Sequence, residues 1–250
     1  MDIVLYILLG ILGVIVLTSL VASGIRWSAY RLTRKLNIKK LSVDVPVEEY
    51  ARTLLDQDGL EAVEIKTVGF WASLFVGNTY SKSKKCIKLG KFTAKRPTIT
   101  HLATACTLVG LAKMDADGQK GLGTIAINRY FSWLPFLMVP VIAIGLIIDM
   151  VLTGNITYIT LIFTVLGFAL TLFSFITSLI SAKKHKMAYD EGYTLLESLQ
   201  LIDEKEDKKI QKLFKKWKQL VVLEVFYNTM FMIYYSIKFV YVVANLSKRG

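Results

Sequence analysis

Three long apolar runs, at positions 3–22, 133–152 and 156–182, are almost free of charged residues. A helix needs about 20 consecutive apolar residues to cross the roughly 30 Å hydrocarbon core of a bilayer. Each run therefore predicts a transmembrane helix. The composition supports this interpretation, because 54% hydrophobic residues exceed what a soluble domain needs to fill its core.

A fourth apolar run, 220–246, is long enough to span but carries Glu224 near its start and Lys238 inside it. Charge within a span is costly, so we expect these two side chains to face other helices or to reach the interface. The fold class predicted is mainly α and integral to the membrane, with a four-helix transmembrane bundle. Its parts are an anchor at 1–22, a hairpin at 133–182 that turns at Thr153-Gly154-Asn155, and a C-terminal span at 220–250.

Basic residues next to these runs predict the orientation of the chain. Those that follow the first run are Arg26, Arg31, Arg34, Lys35, Lys39 and Lys40. Positive residues near a span are retained on the cytosolic side. We therefore expect a multi-pass protein of the cell membrane with its amino terminus outside. Residues 23–132, with 18 basic and 9 acidic residues, and 183–219, with 10 and 7, would be cytosolic, and only Lys248 and Arg249 would depart from the rule.

The net charge of +12 predicts a partner of opposite sign. In a membrane protein this partner is the anionic lipid of the membrane surface. Nucleic acid is not expected, because the sequence contains no recognisable nucleic-acid-binding module. Cys86 and Cys106 both fall in the predicted cytosolic region, where thiols stay reduced, and we expect both to be free.

The larger cytosolic region predicts a small α+β fold, because helical and alternating apolar patterns follow one another in it. The predicted elements are a helix at 48–56, a strand at 62–68, a loop at 70–80, a strand at 85–89 and a buried helix at 98–114. The second cytosolic region is a basic helical segment. There Ile210, Leu213, Phe214 and Trp217 recur at helical spacing within 203–218.

This spacing predicts an interfacial helix, with its apolar side in the membrane surface and its lysines toward lipid phosphates. The alternative is a solvated helix that packs on its own domain. The residues assigned to the membrane surface are Lys212, Lys215, Lys216, Trp217 and Lys218.

Several cytosolic segments occur in an order that one known family shares. Residues 50–60 and 63–69 form a helix, a Gly-Leu turn and a Val-containing strand. Residues 78–90 contain a tyrosine, a basic run and a leucine, and residues 98–106 lead into a further helix. In this order the segments resemble the bacterial integral membrane neutral zinc metallopeptidases, the YugP-type family. The resemblance implies that the cytosolic part is metallopeptidase-like.

In that family the helix carries His-Glu-x-x-His followed by alanine. The two histidines bind one zinc ion, and the glutamate activates the metal-bound water. The matching positions here read Thr107-Leu108-Val109-Gly110-Leu111-Ala112. Thr107 and Leu111 replace the ligands and Leu108 replaces the base, and a leucine has no lone pair to offer. His185 matches the region of the family's third ligand, and Ala188 matches an alanine that follows it.

The resemblance therefore implies a catalytically inactive, zinc-metallopeptidase-like membrane protein that holds no zinc. Such a protein would bind or regulate another integral membrane protein or an active homologue. Two alternatives stay open. One is an active membrane hydrolase with a non-standard metal site drawn from His101, His185, Cys86 and Cys106, although His101 and Cys106 do not share a helix face well. The other is a small transporter or channel that uses the intramembrane polar residues Asp149, Glu224, Asn228 and Lys238.

Overall fold

The structure is a computed structural model, and it describes residues 3–37, 45–69, 71, 77–131, 134–154, 157–201 and 204–247. The eight helices of the described part are α1 (Ile3–Asn37), α2 (Val47–Gln57), α3 (Lys91–Lys95), α4 (Ile99–Ala116), α5 (Gly123–Phe131), α6 (Leu134–Thr153), α7 (Tyr158–Ser198) and α8 (Glu204–Ser247). The three strands are β1 (Glu64–Val68), β2 (Thr79–Ser81) and β3 (Cys86–Gly90). The prediction of a mainly helical chain is confirmed.

Three of the described helices are long and apolar enough to cross a membrane. The qualifying stretches are Tyr6–Leu36 in α1, Tyr158–Ser198 in α7 and Asp207–Ala244 in α8. Large apolar side chains such as Leu17, Val151 and Ile162 are more than half exposed along the apolar helices. An apolar surface of this extent suits lipid rather than water. The chain is therefore a membrane protein, and the described apolar stretch of α6, Leu137–Thr153, is shorter than the other three.

α7 and α8 each unite segments that the sequence pattern treats as separate. α7 continues from the apolar run into the segment after it, as far as Ser198, and α8 joins the basic segment to the last apolar run. Neither junction contains a proline, and the helical spacing of buried side chains continues through both. Positions 155–156, 202–203 and 248–250, which belong to the predicted turn, segment boundaries and tail, lie outside the described residues.

The chain divides into two compact units. The first, called here the apolar unit, contains residues 1–23, 127–180 and 222–250. The second, called the mixed unit, contains residues 24–126 and 181–221.

The mixed unit is built on a three-stranded sheet of order β1-β3-β2. β1 and β3 are parallel, with Ile65 opposite Ile87, and β2 runs antiparallel to β3, with Tyr80 opposite the same Ile87. β2 lies in the segment predicted as a loop, of which Phe70 and residues 72–76 are outside the described part. The prediction was wrong for 79–80 because two paired residues are too few to produce an alternating pattern. α3 was also missed, since five residues carry little periodicity.

α4 occupies the centre of the mixed unit, as predicted for a buried helix. Apolar side chains on every side of it are buried, including Leu102, Cys106, Val109 and Met114. A helix that is apolar all round must be surrounded by other elements. Here the surroundings include α2, α3, β2 and β3.

The basic amino-terminal part of α8 packs inside the mixed unit. Ile210, Leu213 and Phe214 are 0, 0 and 3% exposed in its hydrophobic core. The Phe214 ring lies 5.7 Å from that of Tyr193 and 5.0 Å from that of Trp217, measured between centroids. The predicted contact of this apolar face with lipid is therefore wrong, because aromatic residues of α7 cover it. The alternative, a helix that packs on its own domain, describes the structure.

The apolar unit is held by close contacts of α7 with α6 and α8. A Cβ atom added to Gly167 would lie 2.7 Å from Ile142 Cδ1 and 3.2 Å from Tyr235 Cε1. One added to Gly145 would lie 2.6 Å from a ring carbon of Phe163. Small residues allow membrane helices to approach closely where no hydrophobic effect draws them together. A methyl group at Gly145 or Gly167 would therefore force these neighbouring side chains to shift.

Candidate functional site

The positions that the resemblance aligns with a zinc motif, Thr107, Leu108 and Leu111, lie on α4. Thr107 donates its hydroxyl hydrogen to the carbonyl oxygen of Ala103 at 2.9 Å. Leu108 and Leu111 belong to the buried core of the mixed unit. The hydroxyl is therefore bound by its own helix, and the two leucines serve as core residues.

α7 packs directly against this part of α4. A Cβ atom added to Gly192 would lie 2.7 Å from Thr107 Cα and 2.8 Å from Thr107 N. One added to Gly110 would lie 3.1 Å from Glu191 Cβ and Cγ. Contacts under 3.0 Å are not tolerated between a Cβ atom and backbone. The two helices therefore touch at Thr107 and Gly192, and a side chain longer than hydrogen does not fit at Gly192.

An ion pair links the same two helices one turn further along. Lys113 Nζ lies 2.8 Å from Glu191 Oε1 and 3.7 Å from Asp58 Oδ2. The hydrogen bond to Glu191 is the main reason that the pKa of Lys113 is raised above its usual value. The pair is partly exposed, so its contribution to stability is modest.

His185 lies on α7 and is half-buried. Its Nδ1 atom lies 3.2 Å from the carbonyl oxygen of Ser181, and its ring centroid lies 6.1 Å from that of Tyr189. Gly192, the residue that contacts Thr107, comes seven positions later, which is about 10 Å along a helix axis. The point of contact with α4 is therefore two turns from His185.

The residues at the zinc-motif positions do not fit zinc. Zn²⁺ in proteins is held by histidine, cysteine or carboxylate ligands. Positions 107, 108 and 111 supply one engaged hydroxyl and two leucines, and the backbone of α7 fills the space beside Thr107. Within the described ranges, no group of three or more His, Cys, Asp or Glu side chains could hold a metal ion.

The other candidate ligands have local roles. The Nδ1 atom of His101 lies 3.3 Å from the carbonyl oxygen of Arg96 at the start of α4, and burial lowers the pKa of this histidine. Cys106 is fully buried in α4, and burial raises the pKa of its thiol. A buried neutral thiol is a poor metal ligand and nucleophile. Cys86 is also a buried free cysteine, in β3.

The intramembrane polar residues lie in the apolar unit, and two of them belong to a ring of contacts there. Asn128 Nδ2 of α5 donates to Glu224 Oε1 of α8 at 2.7 Å. Ser174 Oγ of α7 lies 3.3 Å from Asn228 Oδ1 of α8 and 3.1 Å from the carbonyl oxygen of Phe131. Asn128 and Phe131 are one turn apart on α5, as are Glu224 and Asn228 on α8. These contacts connect five residues in a closed ring, called here the polar ring: Asn128, Phe131, Ser174, Glu224 and Asn228.

Asp149 has a structural role at the start of α7. Its carboxylate accepts hydrogen bonds from the backbone N–H groups of Thr157 at 2.8 Å and Thr160 at 3.0 Å. It also accepts the hydroxyl groups of both threonines. The first turn of a helix has unpaired N–H groups that a carboxylate satisfies well. Asp149 therefore caps α7 and joins it to α6.

Lys238 lies on the same side of α8 as Glu224 and Asn228. The residue spacing of 14 between Glu224 and Lys238 is close to four helical turns. The Nζ atom of Lys238 is 5.8 Å from the ring centroid of Tyr234. The lysine is partly buried, beside an aromatic face that attracts a cation.

The residues assigned to the membrane surface differ in their environments. Lys212 and Lys215 are exposed, whereas Lys216 and Trp217 are partly buried. Lys218 Nζ pairs with the carboxylate of Asp190 on α7. Lys212 and Lys215 are thus the two that are exposed, and the contact of these lysines with lipid stays a prediction.

The sequence patterns missed Asn128, Phe131 and Ser174, the members of the polar ring outside the last span. A signal for Ser174 is present, because hydroxyl residues and a glycine recur every three or four positions along the third apolar run. They are Thr160, Thr164, Gly167, Thr171, Ser174 and Ser178, and all are buried.

Comparison of the chain with protein-family models, curated proteins and solved structures finds no match.

Proposed function

We propose that this chain is a catalytically inactive, zinc-metallopeptidase-like protein of the cell membrane that binds or regulates another membrane protein. The proposal depends on the contact between Thr107 and Gly192. This contact is so close that a Cβ atom added to Gly192 would lie 2.7 Å from Thr107 Cα. It occurs where the resemblance assigns a metal and its activated water. A hydrolase needs a ligand set and an open position for substrate there. Closely packed backbone offers neither.

The proposed topology has four spans, with the amino terminus outside and the mixed unit in the cytosol. α6 contributes the fourth span: its 20 residues extend about 30 Å, the thickness of the hydrocarbon core. Support for the orientation comes from α1, where Trp27 and Tyr30 are exposed and the Arg31 guanidinium lies 3.4 Å from the centre of the Trp27 ring. Exposed aromatic residues favour a membrane interface on either side, and basic residues favour the cytosolic side.

A hydrolysis assay tests the absence of catalysis. Purified full-length protein in lipid vesicles, supplied with zinc, is incubated with labelled casein and with a labelled membrane-spanning peptide. We expect no cleavage above that of heat-inactivated protein, and the same result for His185→Ala and Cys106→Ser. Cleavage that a chelator stops and that either substitution abolishes would instead establish an active hydrolase with a non-standard metal site.

Site-specific photo-crosslinking in native membranes tests the binding role. A photoreactive residue is introduced at Leu17 or Phe173, which are exposed on apolar helices, and at Thr164, which is buried and serves as the matched control. We expect a discrete protein adduct from at least one exposed position and none from Thr164. Adducts with lipid alone from a series of exposed positions around α1, α7 and α8 would contradict a protein partner within the membrane.

A further inference from the structure

The large apolar side chains that are exposed in the mixed unit are all aromatic. Among its described residues they are Trp27, Tyr30, Trp71 and Phe92, with exposed fractions of 57, 62, 74 and 49%. The exposed apolar side chains of the apolar unit are instead mostly aliphatic, such as Leu17 and Ile162. Aliphatic side chains suit the hydrocarbon core of a bilayer, whereas aromatic ones favour its interface with water. The exposed apolar residues of the mixed unit therefore have the composition of a membrane interface.

Two of these aromatic rings carry an arginine. The Arg31 guanidinium lies 3.4 Å from the centre of the Trp27 ring, on α1 just after the first apolar run. The Arg96 guanidinium lies 4.8 Å from the centre of the Phe92 ring, in a polar part of the sequence. An arginine over an aromatic ring presents an apolar face and a positive charge side by side, and the headgroup region of an anionic bilayer accepts both. Phe92 and Arg96 thus repeat the chemistry of the first pair on another element.

Trp71 leaves the sheet at the same edge as Phe92. β1 and β3 are parallel, with Val68 opposite Gly90, so both strands end at this edge. Trp71 comes three residues after Val68, and Phe92 comes two residues after Gly90. Three residues extend at most about 10 Å, which keeps both side chains near the edge. The surface there, called here the α3 surface, contains Trp71, Lys91, Phe92, Lys95 and Arg96, and all five are exposed.

The Asn78 side chain fixes α3 to the sheet. Its Nδ2 atom donates to Thr93 Oγ1 at 3.1 Å, and its Oδ1 atom accepts from the backbone N–H of Gly90 at 2.8 Å. Thr93 and Ala94 form the buried side of α3. Phe92 lies on the exposed side. The exposure of the Phe92 ring therefore follows from the way in which α3 is anchored.

The α3 surface belongs to the most strongly basic part of the mixed unit. Residues 65–114 contain nine Lys or Arg residues and no Asp or Glu. Three of the nine pair with carboxylates. The six that form no ion pair with a described residue are Lys84, Lys85, Lys88, Lys91, Lys95 and Arg96. Glu48 and Glu49 of α2, an element that contacts α3, offset only part of this charge.

We propose that the α3 surface binds anionic lipid headgroups, with Trp71 and Phe92 at headgroup level and the basic residues on lipid phosphates. The positive charge and the aromatic side chains both match this partner. A protein partner would need about 800 Å² of surface on each side. A lipid contact can be smaller, because α1 ties the mixed unit to the membrane and so raises the effective concentration of lipid. This inference does not depend on the proposed inactivity.

A fluorescent label at position 92 tests the proposal in full-length protein. Phe92→Cys is labelled with an environment-sensitive nitrobenzoxadiazole dye and reconstituted in vesicles of phosphatidylcholine with phosphatidylglycerol. Cys86 and Cys106 are buried, and the unmodified protein shows whether they react. Gln57→Cys is the matched control, because position 57 is exposed in the same unit but lies between two aspartates. We expect a blue-shifted emission that brominated lipid quenches at position 92, and neither effect at position 57.

The basic residues are tested in the same assay. Phosphatidylcholine alone, high salt, or the added substitutions Lys91→Gln and Lys95→Gln should each reduce the quenching at position 92, because each removes charge attraction. Equal quenching under all these conditions would contradict recognition of anionic lipid. Absence of quenching at position 92 in the anionic vesicles would overturn the proposal, and this measurement needs no substituted lysine. A blue shift that lipid does not quench and that grows with the protein-to-lipid ratio would identify a second copy of the chain instead.

Discussion

Gly192 lies against Thr107, a position that the resemblance assigns to a metal ligand. A methyl group there would overlap the backbone of Thr107. We expect Gly192→Ala to lower the free energy of unfolding by about 1–3 kcal/mol, the usual cost of overpacking. Steric-trapping or detergent-unfolding measurements on the purified protein would measure the change.

Gly24→Ala provides the matched control for this substitution. Gly24 lies in α1, in the same unit, and a Cβ atom added to it meets nothing within 4 Å. Alanine is favoured over glycine in a helix by about 1 kcal/mol, so Gly24→Ala should not destabilise the protein. Equal effects of the two substitutions would mean that α4 and α7 are not in contact at Thr107.

His101 predicts a pH dependence of stability. Burial, the largest effect, lowers its pKa from the usual 6.5, although the carbonyl oxygen of Arg96 opposes the shift. The unfolded chain therefore binds a proton more readily than the folded one, and stability is lost as the pH falls through 6.5 toward the folded pKa. We expect the unmodified protein to lose more stability between neutral and mildly acidic pH than His101→Gln. Parallel pH profiles for the two proteins would contradict this assignment.

At the level of elements, the start of α7 depends on one carboxylate. Asp149 accepts two backbone N–H groups and two hydroxyl groups there. We expect Asp149→Ala to lower the free energy of unfolding by about 1.5–3 kcal/mol, the range for hydrogen bonds to a charged group. Asp149→Asn keeps one acceptor oxygen and should cost less. If Asp149→Ala lowered the free energy of unfolding by less than a few tenths of a kcal/mol, the cap would not be needed.

The elements that could be predicted from the sequence are those with strong and long patterns. The apolar runs lie in α1, α6, α7 and α8, and the strand predicted at 62–68 is present as Glu64–Val68. β2 and α3 could not be predicted, because three to five residues carry too little periodicity. The basic part of α8 was assigned to lipid because its apolar stripe has the same appearance whether lipid or Tyr193 covers it. Whether lipid or protein covers the stripe depends on tertiary contacts, which join residues that are distant in the sequence.

For the candidate site, the sequence shows which residues stand at positions 107, 108 and 111 but not how they pack. That two ligands and a base are replaced at these positions is what the family resemblance implies, and it stays a prediction. The close approach of Gly192 does not, since it depends on the rotation of α7 against α4. The polar ring could not be predicted from the sequence either, because Asn128 and Glu224 are 96 positions apart and come into contact only in the folded protein.

The whole molecule contains an apolar unit with helices that are long and apolar enough to cross a membrane, and a mixed unit for which we propose that no metal is bound. A net charge of +12 and exposed lysines such as Lys212 and Lys215 suit an anionic membrane surface. No step of the proposed role requires a bound metal. The binding or regulatory role is therefore to be sought in contacts with other membrane proteins.

The metal content of the purified protein distinguishes an inactive protein from a zinc hydrolase. Full-length protein is isolated from zinc-supplemented cells without chelators or a histidine tag, and zinc is measured by inductively coupled plasma mass spectrometry. We expect far less than one zinc per chain, with no change in Thr107→Ala or His185→Ala. One tightly held zinc per chain that disappears in His185→Ala would contradict this expectation.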